Sequence, residues 1–292
     1  MKIKVFNKYT HSTQEIRCEK IIFSGGEVHV KLNMDDVDKL VGVETTVYVH
    51  HEVRDSQDLM ELVMVKNALD EVVRGLDVKV SLWMMYIPYA RQDRFCEPGE
   101  AFGVKAFAHT LNSLKFDEVI VVDPHSDVSR AVIDNLTVIE QDDVAFHMLG
   151  WKIKQEGFHL VSPDGGALKK IFKLGKRLGV EVHCAEKVRD TLTGEIIKTN
   201  IPVLDFDGQN LMIVDDICDG GRTFIELAKV LKERNAGKVE LYVTHGIFSK
   251  GVDVLSKYID KIHSFNVWEN NVENVTGVLV ENQKEVQKQI LS

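Results

Sequence analysis

The sequence predicts an α/β protein of two tandem halves, each built on a mainly parallel sheet. Three observations predict it. Short apolar, β-branched runs alternate with segments of helical spacing, the pattern of βα repeats. Polar clusters recur where the apolar runs stop, as they do where a parallel sheet presents its loops at the carboxyl ends of its strands. The whole pattern then occurs twice, in residues 1–142 and again in 143–292.

In the first half, 3–7, 19–24 and 27–32 read as short strands, the last two joined by a tight turn at Gly25-Gly26. Phe23 and Glu27 flank that turn and read as ordinary hairpin residues. Thr45–His50 is a β-branched strand. A helix follows, capped by Asp55 or Ser56, with Leu59, Leu62, Val63, Val65 and Leu69 on its apolar face. Val78–Pro88 reads as a long buried strand ended by its proline. It delivers Tyr89-Ala90-Arg91-Gln92-Asp93-Arg94. A helix at about 101–115 leads to strand 119–122 and to Asp123-Pro124-His125-Ser126-Asp127.

The second half holds strand 158–162, the turn Ser162-Pro163-Asp164-Gly165-Gly166, helix 167–178 and strands 181–186 and 194–198. Strand 239–244, helix 252–259, strand 262–267 and a last helix from about Gln283 close the chain. Between them lies the stretch that organises the rest. Leu211-Met212-Ile213-Val214 reads as a buried strand ending at Asp215-Asp216, followed by Asp219-Gly220-Gly221-Arg222-Thr223 and a helical run from Phe224. Strand, glycine turn and helix point backbone N–H groups at an anion, most often a phosphate. Carboxylates accept the two hydrogen bonds a ribose diol donates. Acids beside a phosphate cradle therefore suit a sugar phosphate better than a solvated turn.

Of the 292 residues 44% are hydrophobic and 28% charged, with a net charge of −9, which fits a soluble globular protein and argues against a nucleic-acid partner. No apolar run reaches the ~18 residues of a bilayer span. Met1-Lys2-Ile3-Lys4 is not followed by the apolar core of a signal peptide. The four cysteines form no Cys-x-x-Cys pair, so reduced thiols, a cytoplasmic location and no membrane partner are expected.

Other clusters carry chemistry. Arg91 and Arg94 have fixed charge and planar donors suited to polyphosphate, and Gln92 between them suits a base or sugar; incidental surface charge is the alternative. His125, flanked by Asp123 and Asp127, fits a divalent cation or a phosphate, or else a capping or packed residue. Asp164 opens a helix, as a site carboxylate or a simple N-cap. Lys187-Val188-Arg189-Asp190 reads as a basic loop able to close over a reacting phosphate, or as a solvated turn.

Together these motifs resemble the ribose-phosphate pyrophosphokinases (PRPP synthetases), in collinear order over most of the chain. Leu59-Met60-Glu61-Leu62 is similar to the family's first-helix motif, Tyr89 to Arg94 to its ATP loop and Asp123-Pro124-His125 to its metal and phosphate motif. Ser162 to Gly166, the Lys187-x-Arg189 loop, Asp215 to Thr223 and Thr244-His245-Gly246-Ile247-Phe248-Ser249 match further motifs. The resemblance implies two phosphoribosyltransferase-like (type I) domains, assembled into a homo-oligomer, dimer or hexamer. It implies transfer of the pyrophosphoryl group of Mg-ATP to the anomeric hydroxyl of ribose 5-phosphate, with AMP leaving. Arg91, Gln92 and Arg94, with Phe23 and Glu27, would hold ATP. His125 and Asp164 would organise Mg²⁺ and phosphates. Lys187 and Arg189, with His125, would be catalytic. Asp215, Asp216, Asp219, Gly220, Gly221, Arg222 and Thr223 would hold the ribose phosphate.

Two departures stand out. The family's Asp-Thr-Gly/Ala-Gly-Thr reads Asp219-Gly220-Gly221-Arg222-Thr223, which removes a side chain at 220 and adds a cation at 222. Both changes suit a longer 5-substituent, so ADP-ribose, as in the branch that makes ADP-ribose 1-pyrophosphate for NAD synthesis, is the expected acceptor. Ordinary ribose 5-phosphate is the alternative. A non-catalytic regulatory homologue, which should lose the catalytic loop or metal residues, and a phosphoribosyltransferase, which has no use for an ATP loop, fit the motifs less well. The family's Phe-Ser-Asp-Gly-Glu reads Phe23-Ser24-Gly25-Gly26-Glu27, so nucleotide recognition or assembly is expected to differ.

Overall fold

A computed structural model of the chain describes residues 1–37, 45–189, 196–268 and 280–282. It divides into two compact units, Met1–Ile139 and Glu140–Ser292. The division falls ahead of the boundary expected at 142/143. The helix that opens the second unit begins at Gln141, and its Asp142 accepts from Lys173 Nζ of that unit at 2.8 Å.

The first unit runs β1 (Lys2–Asn7), β2 (Ser12–Ile16), β3 (Cys18–Ile22), β4 (Val28–Leu32), α1 (Met34–Val37), β5 (Thr45–His50), α2 (Ser56–Val72), β6 (Val78–Trp83), α3 (Gly103–Ser113), β7 (Glu118–Val122), α4 (Asp127–Val132) and β8 (Leu136–Ile139). One sheet has the order β2-β1-β5-β6-β7-β8. β5 to β8 are parallel, whereas β1 is antiparallel to both neighbours. β3 and β4 form a separate hairpin. Asp55 caps α2 by accepting from the Asp58 N–H at 2.9 Å. β2 was not expected: Ser-Thr-Gln-Glu-Ile is a polar edge strand with only Ile16 buried. β6 is shorter than the expected 78–88. The Met85 N–H is taken by Glu52 Oε1 at 2.9 Å, which ends the β5 ladder before Pro88 is reached.

The second unit runs α5 (Gln141–Gln155), β9 (His159–Ser162), α6 (Leu168–Leu178), β10 (Val182–Cys184), β11 (Glu186–Arg189), β12 (Ile196–Asn200), β13 (Leu211–Cys218), α7 (Arg222–Glu233), β14 (Val239–Gly246), β15 (Lys261–Val267) and β16 (Val280–Asn282). Its main sheet, β10-β9-β13-β14-β15-β16, is parallel throughout. The continuous apolar run of β13 follows from burial on both faces. Leu211 and Ile213 enter one core, Met212 and Val214 the other.

Three expectations change here. β13 does not end at the acid pair but continues through Asp215 and Asp216 to Cys218, because both are still in register with β14 or flanked by residues that are. The helix expected over 252–259 is a pair of hydrogen-bonded turns. Leu255 and Ser256 bond back to Val252, and Tyr258 and Ile259 to Leu255. Its apolar spacing is satisfied all the same, with Val252, Leu255 and Ile259 buried. Lys187 and Arg189 lie on β11, paired antiparallel with β12, rather than on a loop. The helix expected from Gln283 lies outside the described residues. Among the described residues no helix is long and apolar enough to cross a membrane.

Candidate active site

The second unit builds its site at the carboxyl ends of β9, β13 and β14. After Cys218 the chain turns through Asp219, Gly220 and Gly221 into α7. Gly221 has φ 78° and is the N-cap of α7, with no side chain capping the first turn. The first N–H groups of the helix are thus left for an anion. Gly221 is glycine for two reasons: the positive φ, and a Cβ there would lie 2.7 Å from Leu255 Cδ2. Gly220 differs. A Cβ there would meet Lys250 Cγ at 3.5 Å and Ser249 Oγ at 3.9 Å, ordinary contacts. Packing demands glycine at 221 and leaves room for a side chain at 220.

The loop is braced from β14. The Ile247 and Phe248 N–H groups donate to the Cys218 carbonyl at 2.8 and 3.1 Å. Ser249 Oγ donates to Asp219 Oδ1 at 2.5 Å. Phe248 is fully buried with φ 49°, its ring against the space a Cβ on Gly246 would fill. Sequence pattern alone gives no role to the motif Thr244 to Ser249 or to Lys250 just beyond it. The glycine at 246 and the serine opposite Asp219 were the available signals.

Asp215, Asp216 and Asp164 gather beside this loop. The Asp216 N–H donates to Asp215 Oδ1 at 3.0 Å. Burial, then the charges of Asp216 and Asp164, push the Asp215 carboxyl well above the usual carboxylate range. Asp164 Oδ1 accepts from the Gly166 and Ala167 N–H groups at 3.0 and 3.2 Å, so this acid does cap its own turn. Carboxylates of this kind accept hydrogen bonds from the hydroxyls of a sugar, and their oxygens suit a hard cation such as Mg²⁺ if a ligand draws them together. Cys218 is buried within the loop's base, and its thiol is pushed up to about 12 by burial and by Asp215 and Asp219.

The first unit holds the other expected residues. Arg91, Gln92 and Arg94 are exposed on the loop after β6, around the buried Asp93. Arg94 grips Asp93 with two donors, Nε at 2.8 Å and Nη2 at 3.3 Å. This pairing holds the Asp93 carboxyl below its usual range, with a smaller contribution from the charge of His125. The Gln92 amide lies over Gly103, where a Cβ would collide with it, and the Val104 N–H donates to the Gln92 carbonyl at 3.2 Å. His125 is half-buried two residues beyond Asp123, whose φ is 44°. In the β3–β4 hairpin the Phe23 N–H donates to the Glu27 carbonyl at 2.9 Å and Phe23 is exposed. A Cβ on Gly25 would lie 2.5 Å from Glu27 Oε2. The Glu27 carboxylate therefore lies over Gly25, in the space a side chain at 25 would enter. A cavity of about 610 Å³ in this unit, lined by Lys20, His50, His51, Glu61 and Trp83 among others, includes none of the expected ATP-binding residues.

Comparison with known proteins fits this arrangement. The phosphoribosyl transferase domain family matches residues 142–281. A ribose-phosphate pyrophosphokinase of Pyrococcus furiosus is 30% identical over 262 residues, 88% of either chain. The chain belongs to the ribose-phosphate pyrophosphokinase family. Another member, from Sulfolobus acidocaldarius, is 26% identical over 235 residues, 80% of this chain and 77% of its own. The fold agrees with that of the phosphoribosylpyrophosphate synthetase from Mycobacterium smegmatis, with a TM-score of 0.76 at 20% identity over 94% of this chain and 89% of that one. As a ribose-phosphate pyrophosphokinase the chain is an ATP-dependent, Mg²⁺-requiring pyrophosphotransferase built on phosphoribosyltransferase-type α/β units.

Proposed function

We propose that this chain transfers the pyrophosphoryl group of Mg-ATP to the anomeric hydroxyl of ribose 5-phosphate. The observation that carries the reading is the open N-terminus of α7 behind Gly221, set beside Asp215, Asp216 and Asp219: a phosphate cradle next to hydrogen-bond acceptors for a ribose. Gly220, Gly221, Arg222 and Thr223 take the 5-phosphate, and the three acids take the ribose. Arg91, Gln92 and Arg94, with Phe23 and Glu27, hold ATP; the Asp93 grip on Arg94 restrains that guanidinium before nucleotide arrives. Lys187 and Arg189 neutralise charge developing on the transferred group, and His125 and Asp164 orient phosphates and metal. Mg²⁺, when bound, screens the polyphosphate and makes its phosphorus electrophilic. The work of the chain's own groups is positioning and charge neutralisation. Assembly into a homo-oligomer, dimer or hexamer, goes with this reading and is checked by light scattering.

A second reading, ADP-ribose as acceptor, is favoured by one observation. Packing does not require Gly220, and the Lys250 stem passes within 3.5 Å of the space its side chain would take. Lys250 and Arg222 are both exposed there. Room plus two cations suits a diphosphate bridge. The deciding assay incubates the protein with Mg²⁺, ATP and either acceptor in separate tubes. AMP with ribose 5-phosphate alone supports the first reading. AMP with ADP-ribose alone, and a product heavier by a diphosphate, supports the second. AMP with neither acceptor overturns both.

A further inference from the structure

On the opposite end of the second sheet from the phosphate loop, two histidines and a glutamate meet at the start of β9 and β10. His159 is the first residue of β9, His183 lies in β10, and Glu181 immediately precedes β10. His159 Nδ1 is 3.1 Å from His183 Nε2. Glu181 places one carboxylate oxygen 3.7 Å from His159 Nδ1 and the other 3.9 Å from His183 Nδ1. The backbone sets this up. Parallel pairing aligns His183 with Val161, and the Leu160 N–H donates to the Glu181 carbonyl at 2.9 Å. The His183 ring is largely buried, with Phe206 edge-on at 5.2 Å, while His159 is partly open to solvent.

We propose that His159, His183 and Glu181 form a transition-metal site, suited to Zn²⁺, separate from the Mg²⁺ chemistry of the catalytic loops. At metal–nitrogen and metal–oxygen distances of about 2.0–2.2 Å, tetrahedral ligand atoms lie about 3.3 Å apart. The His159–His183 edge of 3.1 Å and the His159–Glu181 edge of 3.7 Å lie around that value. One donor atom from each of the three residues falls within 4.8 Å of the other two, so a small closure of the exposed Glu181 side chain completes the set. Two imidazoles and one carboxylate, with water in the fourth position, is an established zinc donor set, whereas nitrogen donors disfavour Mg²⁺. A second grouping, His51, Asp58 and Glu61, also brings ligand atoms together. There Lys20 Nζ already sits 2.7 Å from Glu61 and 3.6 Å from Asp58, and His51 Nε2 is bonded to the Asp58 carbonyl at 2.8 Å. Among the described residues no lysine or arginine pairs with Glu181, so the second-unit cluster lacks such a resident cation. The bound metal would clasp the edge strand β10 to β9 and so stabilise the folded chain by mass action.

The test uses the full chain in excess Mg²⁺, titrated with Co²⁺ as a spectroscopic stand-in for Zn²⁺. The expected result is one Co²⁺ with the visible bands of tetrahedral coordination, displaced by Zn²⁺ and not by further Mg²⁺, and a thermal midpoint raised by Zn²⁺. His159→Ala and His183→Ala should abolish the bands. Glu181→Gln, a surface change that spares the packing, should weaken binding on the order of tenfold or more. Absence of tetrahedral bands in the wild-type chain, or bands that persist unchanged in Glu181→Gln and His159→Ala, would overturn the site and leave a simple imidazole–imidazole hydrogen bond.

Discussion

Leu255 Cδ2 stands 2.7 Å from where a Cβ on Gly221 would be, so the turn after 251 closes the back of the phosphate loop. Gly221→Ala must both adopt φ near 78° and displace Leu255. The expected cost is about 1–3 kcal/mol of stability together with a raised acceptor KM. Gly220→Ser, which meets only ordinary contacts, should leave the thermal midpoint nearly unchanged. Equal loss of stability in the two variants, measured by urea unfolding, would sink this account of the loop.

The cations around Gly220 separate the two acceptor readings. If a diphosphate bridge lies there, Arg222→Ala and Lys250→Ala should each raise the KM for ADP-ribose by about tenfold and leave kcat close to wild type. Under the ribose 5-phosphate reading, Lys250→Ala changes neither constant. Steady-state kinetics with both acceptors decides.

Lys187 should behave differently. A charge that matters most as the phosphoryl group transfers is read in kcat, so Lys187→Ala is expected to lower kcat by about 10²–10³-fold with little change in acceptor KM. A pure KM effect would remove it from the catalytic group.

His50 predicts an acid limb in the stability profile. It is stacked on Trp83 with ring centroids 5.7 Å apart, and Lys2 lies opposite it in β1. Burial first, then Lys4 and Lys2, push the imidazole down to about 4. The unfolded chain binds a proton near the ordinary 6.5, while the folded chain does so only near 4. Between those values the unfolded state holds more protons, so stability rises with pH, is complete above about 6.5 and is lost as pH falls towards 4. His50→Gln should flatten that part of the profile. Denaturant midpoints at pH 7 and pH 5 for both proteins test it.

Cys218 should be silent to thiol reagents. With its thiol pushed up to about 12 inside the core, almost none is thiolate at neutral pH. Iodoacetamide is expected to leave Cys218 unmodified in the native protein and to label it after unfolding, as read by peptide mass. Rapid native labelling would show that the loop opens.

Much of this protein was legible in the residues because local rules and packing agree. The unbroken apolar run of β13 announces a strand buried on both faces, and Asp55 announces the start of α2. The motifs from Tyr89 to Ser249 announce the family, because reaction chemistry ties residue types to short spacings. Where local signal and tertiary demand part, the sequence is silent. Nothing local says that β13 passes through Asp215 and Asp216; register with β14 carries it on. Helical spacing at Val252, Leu255 and Ile259 is satisfied by two turns, since burial asks only where side chains point. Gly220 and Gly221 look alike in the chain. Only Leu255, 34 residues on, separates a glycine that packing requires from one it does not. The same holds for Glu27, which reaches back over Gly25, and for His159 and His183, which become neighbours only when β10 pairs with β9. The sequence by itself determined the class of fold and chemistry, which depend on local pattern. Tertiary structure decided which side chains share a space, because that depends on strand register and on what fills the gap beside each backbone.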